Sequence, residues 1–97
     1  MATVVYSKRA LDHIERAFAY RSDKNPDAAP AAVNAIQSAV NNLAAHPLVG
    51  RRLEGELREL IISYGHSGYV ALYRFVIAQD EVRILAIRHQ REIGFLP

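Results

Sequence analysis

The chain has 97 residues, of which 51% are apolar and 23% charged, and a net charge of +2. That length suits one domain, residues 1–97, with room for a core but not for a deep enclosed active site, so function is expected on a surface or in a shallow groove. The absence of cysteine excludes disulfides and thiolate metal sites. With no N-terminal apolar signal region and no run near the roughly 20 apolar residues that span a bilayer, a soluble cytoplasmic protein is expected.

Residues 3–7, TVVYS, are β-branched and aromatic and predict a strand. Ser7 is placed to cap a helix carrying Ala10, Leu11, Ile14, Ala17 and Phe18 at helical spacing, with charges opposite and an end near Arg21. SDKNPD supplies a turn. A second, alanine-rich helix follows, with Asp27 as its expected cap, Pro30 in its first turn and Val33, Ile36, Val40 and Leu43 on one face; His46-Pro47 ends it. The two helices are expected to form an antiparallel hairpin.

Residues 48–56, LVGRRLEGE, have no period and read as a loop. LRELIISYG, YVALYRFVIAQ and EVRILAIRH then read as three strands, separated by GHSG and by Gln79-Asp80, which is turn chemistry for an antiparallel meander. The expected fold is α+β with order β-α-α-β-β-β: an antiparallel sheet, the first strand at an edge, and a two-helix hairpin packed on one face. The other sheet face is then partly open, and large uncovered apolar patches mark protein partners.

From residue 51 onward every basic residue is arginine: Arg51, Arg52, Arg58, Arg74, Arg83, Arg88 and Arg91. Arginine offers a planar fork for carboxylate or phosphate, although exposed salt bridges favour it as well. The histidines at 13, 46, 66 and 89 lack metal-ligand spacing, and the five glycines form no phosphate-cradling loop. No metal and no cofactor is expected. Ser67 beside His66 lies in a hairpin turn and is not a nucleophile elbow.

Strict alternation places Arg74 on one face with Val70, Leu72 and Val76, and places Arg83, Leu85, Ile87 and His89 together on a face of the last strand. A mid-strand arginine needs solvent, a carboxylate or a ligand. For Arg74 the carboxylate is Glu54, Glu56 or Glu59, and the ligand is a phosphate or a partner's carboxylate. His89 is either a strand-end histidine packed on its neighbours or a general acid–base group.

The order β-α-α-β-β-β, together with LREL, SGYVALYRF and ILAIRHQRE at their spacing, resembles toxins of the RelE/ParE superfamily from bacterial type II toxin–antitoxin modules. The resemblance spans nearly the whole chain. It implies a small cytoplasmic protein neutralised by a cognate antitoxin that wraps over it. It also implies one of two activities: ribosome-dependent mRNA cleavage, as in RelE-like and YoeB-like members, or poisoning of DNA gyrase, as in ParE-like members. For metal-independent mRNA cleavage the resemblance assigns Glu54 as base, His89 as acid and Arg74 to the phosphate, with Arg58 as a second phosphate ligand. Gln90 stands where the YoeB-like pattern has an aromatic residue, and no lysine follows residue 24. The wording of YVALYRF and ILAIRHQRE is similar to the ParE-like, plasmid-stabilisation branch. The implied function is therefore a gyrase-binding toxin contacting its target through Arg58, Arg74, Arg88 and Arg91. A metal-independent nuclease is the alternative, and a non-toxic antitoxin-binding regulator the third reading.

Overall fold

The computed structural model describes residues 1–65 and 67–97, so the Ser67–His66 juxtaposition considered from sequence lies outside them. The elements are β1 (Thr3–Tyr6), α1 (Lys8–Lys24), α2 (Ala29–Asn41), β2 (Arg51–Arg52), β3 (Leu57–Tyr64), β4 (Ser67–Val76) and β5 (Glu81–His89). They form a five-stranded sheet in the order β1-β5-β4-β3-β2, with α1 and α2 against one face.

The α+β class, the helical hairpin and the β3-β4-β5 meander are as the sequence implies. Four details differ. β4 begins at Ser67, inside the expected GHSG turn, and ends at Val76, so Ile77–Gln79 of the expected strand form a 3-10 turn. The sheet is mixed, because β1 runs parallel to β5; the two are joined through both helices and β2, β3 and β4, so no tight hairpin holds them antiparallel. The expected loop at 48–56 contains the short strand β2, in which Arg51 pairs with Glu59 and Arg52 with Arg58. Asp27 does not cap α2: it lies in a 3-10 turn, Pro26–Ala28, and Ala28 precedes the helix with no side-chain cap. Pro30 sits in the first turn of α2, where its missing N–H costs nothing.

Ser7 does cap α1. Its Oγ accepts from the Ala10 N–H at 3.0 Å and donates to the Leu85 carbonyl at 2.9 Å. The second bond ties the cap to an irregularity in β5: Leu72 pairs with Ala86 but Tyr73 pairs with Ile84, leaving Leu85 as an extra residue. This bulge reverses the face of everything beyond it. Val82 and Ile84 point to the helices with Phe75 and Tyr73, while Ile87 and His89 return to that same face opposite Ala71 and Tyr69.

The core lies between the helices and this sheet face. Ile36, Val40 and Leu43 of the α2 region meet Ile62, Tyr69, Tyr73, Val82, Ile84 and Ile87, all nearly or fully inaccessible. The open face is more charged than the sequence suggests. It carries Glu59, Arg74, Glu81 and Arg83, and Arg51 pairs with Glu59 while Arg83 bonds Glu81 at 2.6 Å and Gln79 at 2.7 Å. Of the large apolar side chains that are more than half accessible, Ile61 lies on this face, while Leu48, Val49, Ile77 and Ile93 lie off the sheet. Among the described residues no helix is long and apolar enough to cross a membrane.

Candidate functional site

The structure separates the residues singled out in the sequence. Arg74 pairs across strands with Leu57 and Arg83, whereas His89 pairs with Tyr69, five residues away along β4. At about 3.3 Å per residue that is about 16 Å. Arg74 and Tyr69 also differ in parity, so Arg74 lies on the open face and His89 on the helix face. Glu54 is exposed in the turn between β2 and β3, near the Arg74 end. Glu54 and Arg74 thus share one end of the sheet, and His89 lies at the other. The strict alternation that grouped Arg83 with His89 fails at the Leu85 bulge, which puts these two on opposite faces.

Arg58 is engaged internally. It neighbours Tyr73 across β3 and β4, and its Nη1 donates to the carbonyls of Leu48 at 3.0 Å and Gly50 at 2.9 Å. Arg74, half-buried, makes no hydrogen bond or ion pair within the described residues; the expected carboxylates do not reach it, and Glu59 is taken by Arg51.

His89, Arg88 and Arg91 gather at the other end, in an open groove of about 540 Å³ between α1, the end of β5 and the C-terminal tail. α1 contributes His13, Arg16, Ala17, Tyr20 and Arg21, at the i, i+3, i+4, i+7, i+8 spacing of one helix stripe. Arg21 Nε donates to the Tyr69 hydroxyl at 3.3 Å, and its guanidinium lies 5.3 Å from the Tyr64 ring centre. The Tyr69 and His89 rings meet edge to face at 5.5 Å. Arg88 Nη1 donates to the carbonyls of His89, Gln90 and Glu92, with its guanidinium 5.3 Å from the Phe95 ring centre. Ala17 is legible as part of the apolar stripe of α1, and Arg16 and Arg21 only as its charged side; that they face a groove depends on the tail folding back over α1.

The tail is held by main-chain contacts. Arg9 Nε donates to the Leu96 carbonyl at 2.7 Å, and the His13 ring bonds the same oxygen at 2.8 Å. The chain reverses after β5 because Glu92 Oε1 accepts from the His89 N–H at 2.9 Å, while His89 Nδ1 accepts from the Arg91 N–H at 3.2 Å.

Burial lowers the pKa of His89, with Arg21 and then Arg91 pushing the same way and Glu92 opposing them. A histidine depressed in the folded state takes its proton later than in the unfolded chain, so its contribution to stability is present at neutral pH and is lost as pH falls through the ordinary histidine range. In an NMR titration, the His89 ring is expected to have a midpoint below that of an exposed histidine, and Arg91→Glu to move it upward. An unchanged midpoint in the variant would contradict the arginine contribution. Among the described residues no group of three or more His, Asp or Glu is placed to hold a metal ion. The arrangement is suited to recognising acidic groups, through several guanidiniums around an apolar and aromatic floor.

Comparison with known proteins bears on this geometry. The model of a family described as the ParE toxin of the type II toxin-antitoxin system, parDE, matches residues 4–94. Toxin RelE3 of Caulobacter vibrioides is 36% identical over 92 residues, covering 95% of this chain and 98% of the relative. Toxin RelE1 of the same organism is 31% identical over 90 residues, covering 93% and 95%. Among solved structures, the chromosomal ParDE TA system from P. aeruginosa aligns with a TM-score of 0.77 at 22% identity, over 92% of this chain and 96% of that one. The toxin-antitoxin complex RelBE2 from Mycobacterium tuberculosis aligns with a TM-score of 0.60 at 25% identity, over 92% and 98%.

Proposed function

This chain belongs to the ParE toxin family of type II toxin–antitoxin systems, and we propose that within this family it stops growth by binding DNA gyrase and not by cutting RNA. The observation that carries this reading is the dispersal of Glu54, Arg74 and His89. Metal-free RNA cleavage needs a base on the 2′-hydroxyl and an acid on the leaving 5′-oxygen, each within about 3 Å of its proton at a single phosphate. A glutamate and a histidine at opposite ends of a sheet do not flank one phosphate. A binding toxin has no such requirement, and Arg88 and Arg91 at the end of β5 offer it a contact surface, with Arg74 a separate cation on the open face.

On this reading the chain acts in the cytoplasm and is held inactive by a cognate antitoxin, as the ParDE and RelBE2 assemblies of its structural neighbours support. Induction of the chain alone should arrest growth, with rescue by the antitoxin encoded beside it and with gyrase-dependent DNA breaks and SOS induction. His89→Ala should leave the toxicity. Rapid translation-dependent mRNA cleavage that disappears in His89→Ala would establish the nuclease reading instead. Harmless expression would point to an antitoxin-binding regulator.

A further inference from the structure

The positive charge of this chain is concentrated in one place. Lysines and arginines number 12 against 10 aspartates and glutamates, giving +2 overall. The groove beside α1 is lined by Arg16, Arg21, Arg88 and Arg91 against the single carboxylate of Glu92, a net of +3. Everything outside the groove therefore sums to −1.

Nor are these arginines neutralised from within. Among the described residues the ion pairs are Lys8–Asp12, Arg51–Glu59 and Arg83–Glu81, and none involves the groove. Arg21 and Arg88 bond neutral oxygens, and the guanidiniums of Arg16 and Arg91 make no ion pair within the described residues. Four guanidiniums gathered around a groove repel one another, a cost that an acidic partner removes. Their floor includes the apolar Ala17, Ile87 and Leu96, so the complementary ligand has an apolar anchor flanked by carboxylates.

We infer that this groove is the docking site for an acidic polypeptide segment of the target protein, whose apolar side chain enters between α1 and the tail while its carboxylates meet Arg16 and Arg91. The inference rests on the reading that the chain acts by binding a protein. A single-stranded nucleic acid fits less well, because its affinity grows with successive phosphate contacts along a basic track, and outside this groove the chain is net negative.

Fluorescence anisotropy tests this with a labelled short peptide bearing one Leu-Phe pair flanked by glutamates, a matched peptide with lysines for the glutamates, and oligothymidylate of equal charge. The full chain should bind the acidic peptide, weaken as salt rises and ignore the lysine version. The double variant Arg16→Glu/Arg91→Glu should lose at least about tenfold in affinity, whereas Arg52→Glu at the opposite end of the sheet should bind as the parent does. Both groove positions are exposed, so circular dichroism should show the double variant folded. No binding of the acidic peptide, equal binding by the double variant, or tighter binding of oligothymidylate would each overturn the inference. A gyrase assay on the same preparations separates the two readings. Peptide binding without any effect on gyrase removes the proposed target and leaves the groove, while gyrase poisoned equally by parent and double variant removes the groove and leaves the target.

Discussion

Tyr73→Ala should leave the domain largely unfolded at physiological temperature. Tyr73 is fully buried at the centre of β4, and its hydroxyl does work that a phenyl ring cannot. It accepts from the Gly50 N–H at 2.8 Å and donates to the Pro47 carbonyl at 2.9 Å. Arg58, its neighbour across the sheet, holds the carbonyls of Leu48 and Gly50. The two side chains together clamp the 47–50 connection that leads into β2. Gly50 completes the fit, since a Cβ there would stand 2.5 Å from the tyrosine oxygen. Burial raises the pKa of the Tyr73 phenol, opposed by the Gly50 N–H and by Arg58, so it stays protonated and able to donate. Truncating a buried aromatic residue costs about 3–5 kcal/mol, a large part of the about 5–15 kcal/mol that holds a small domain together. Tyr73→Phe isolates the clamp: leaving the Gly50 N–H buried without a partner should cost about 1–3 kcal/mol. Urea unfolding followed by circular dichroism measures both, and a Phe variant as stable as the parent would show that the clamp contributes nothing.

His13→Ala should come next in size. β1 ends its pairing at Tyr6 opposite Ile84, and β5 continues for five residues with no strand on that side. α1 completes the edge. Ser7 N–H donates to the Ile84 carbonyl at 2.9 Å, Ser7 Oγ to that of Leu85, and His13 Nδ1 accepts from the Ile87 N–H at 2.9 Å. With Nδ1 accepting, the proton belongs on Nε2, which donates to Leu96 O. One buried imidazole therefore joins the edge of β5 to the tail that walls the groove. Removing it strands the Ile87 N–H, at about 1–3 kcal/mol, and leaves Arg9 alone on the Leu96 carbonyl. Hydrogen exchange at Ile87 should accelerate beyond what the global loss of stability accounts for, whereas exchange that tracks global unfolding alone would show that His13 is only a filler of the core.

His13 shows where sequence reading stops. As one of four histidines without ligand spacing it was uninformative, because its role depends on a strand edge vacated by β1 and on a tail more than 80 residues away. The same holds for Leu85. In EVRILAIRH the alternation of EVRI gives way to the continuous apolar run ILAI, which does not mark the residue that leaves the register beside the Ser7 cap. The faces of Arg83 and His89 follow from that one insertion. By contrast, the Ser7 cap, the helical stripe of α2 and the existence of three strands in LRELIISYG, YVALYRFVIAQ and EVRILAIRH are legible, though the middle one overruns into the 3-10 turn Ile77–Gln79, since each is set by local chemistry: a hydroxyl before an apolar period, or β-branched runs between turn residues. Of the candidate groove, the cluster Arg88, His89 and Arg91 at the end of β5 is legible in the sequence, while Arg16, Tyr20 and Arg21 on α1 are not, since amphipathicity alone reads charges there as a solvated face.

On the proposed reading this toxin engages gyrase and carries no assembled nuclease site. Purified gyrase with supercoiled plasmid and the purified chain tests it most directly. Gyrase-linked DNA breaks should accumulate, unchanged by His89→Ala or Glu54→Gln and suppressed by the antitoxin. Gyrase activity untouched by the chain, together with cleavage of mRNA in a translating extract that both substitutions abolish, would contradict it.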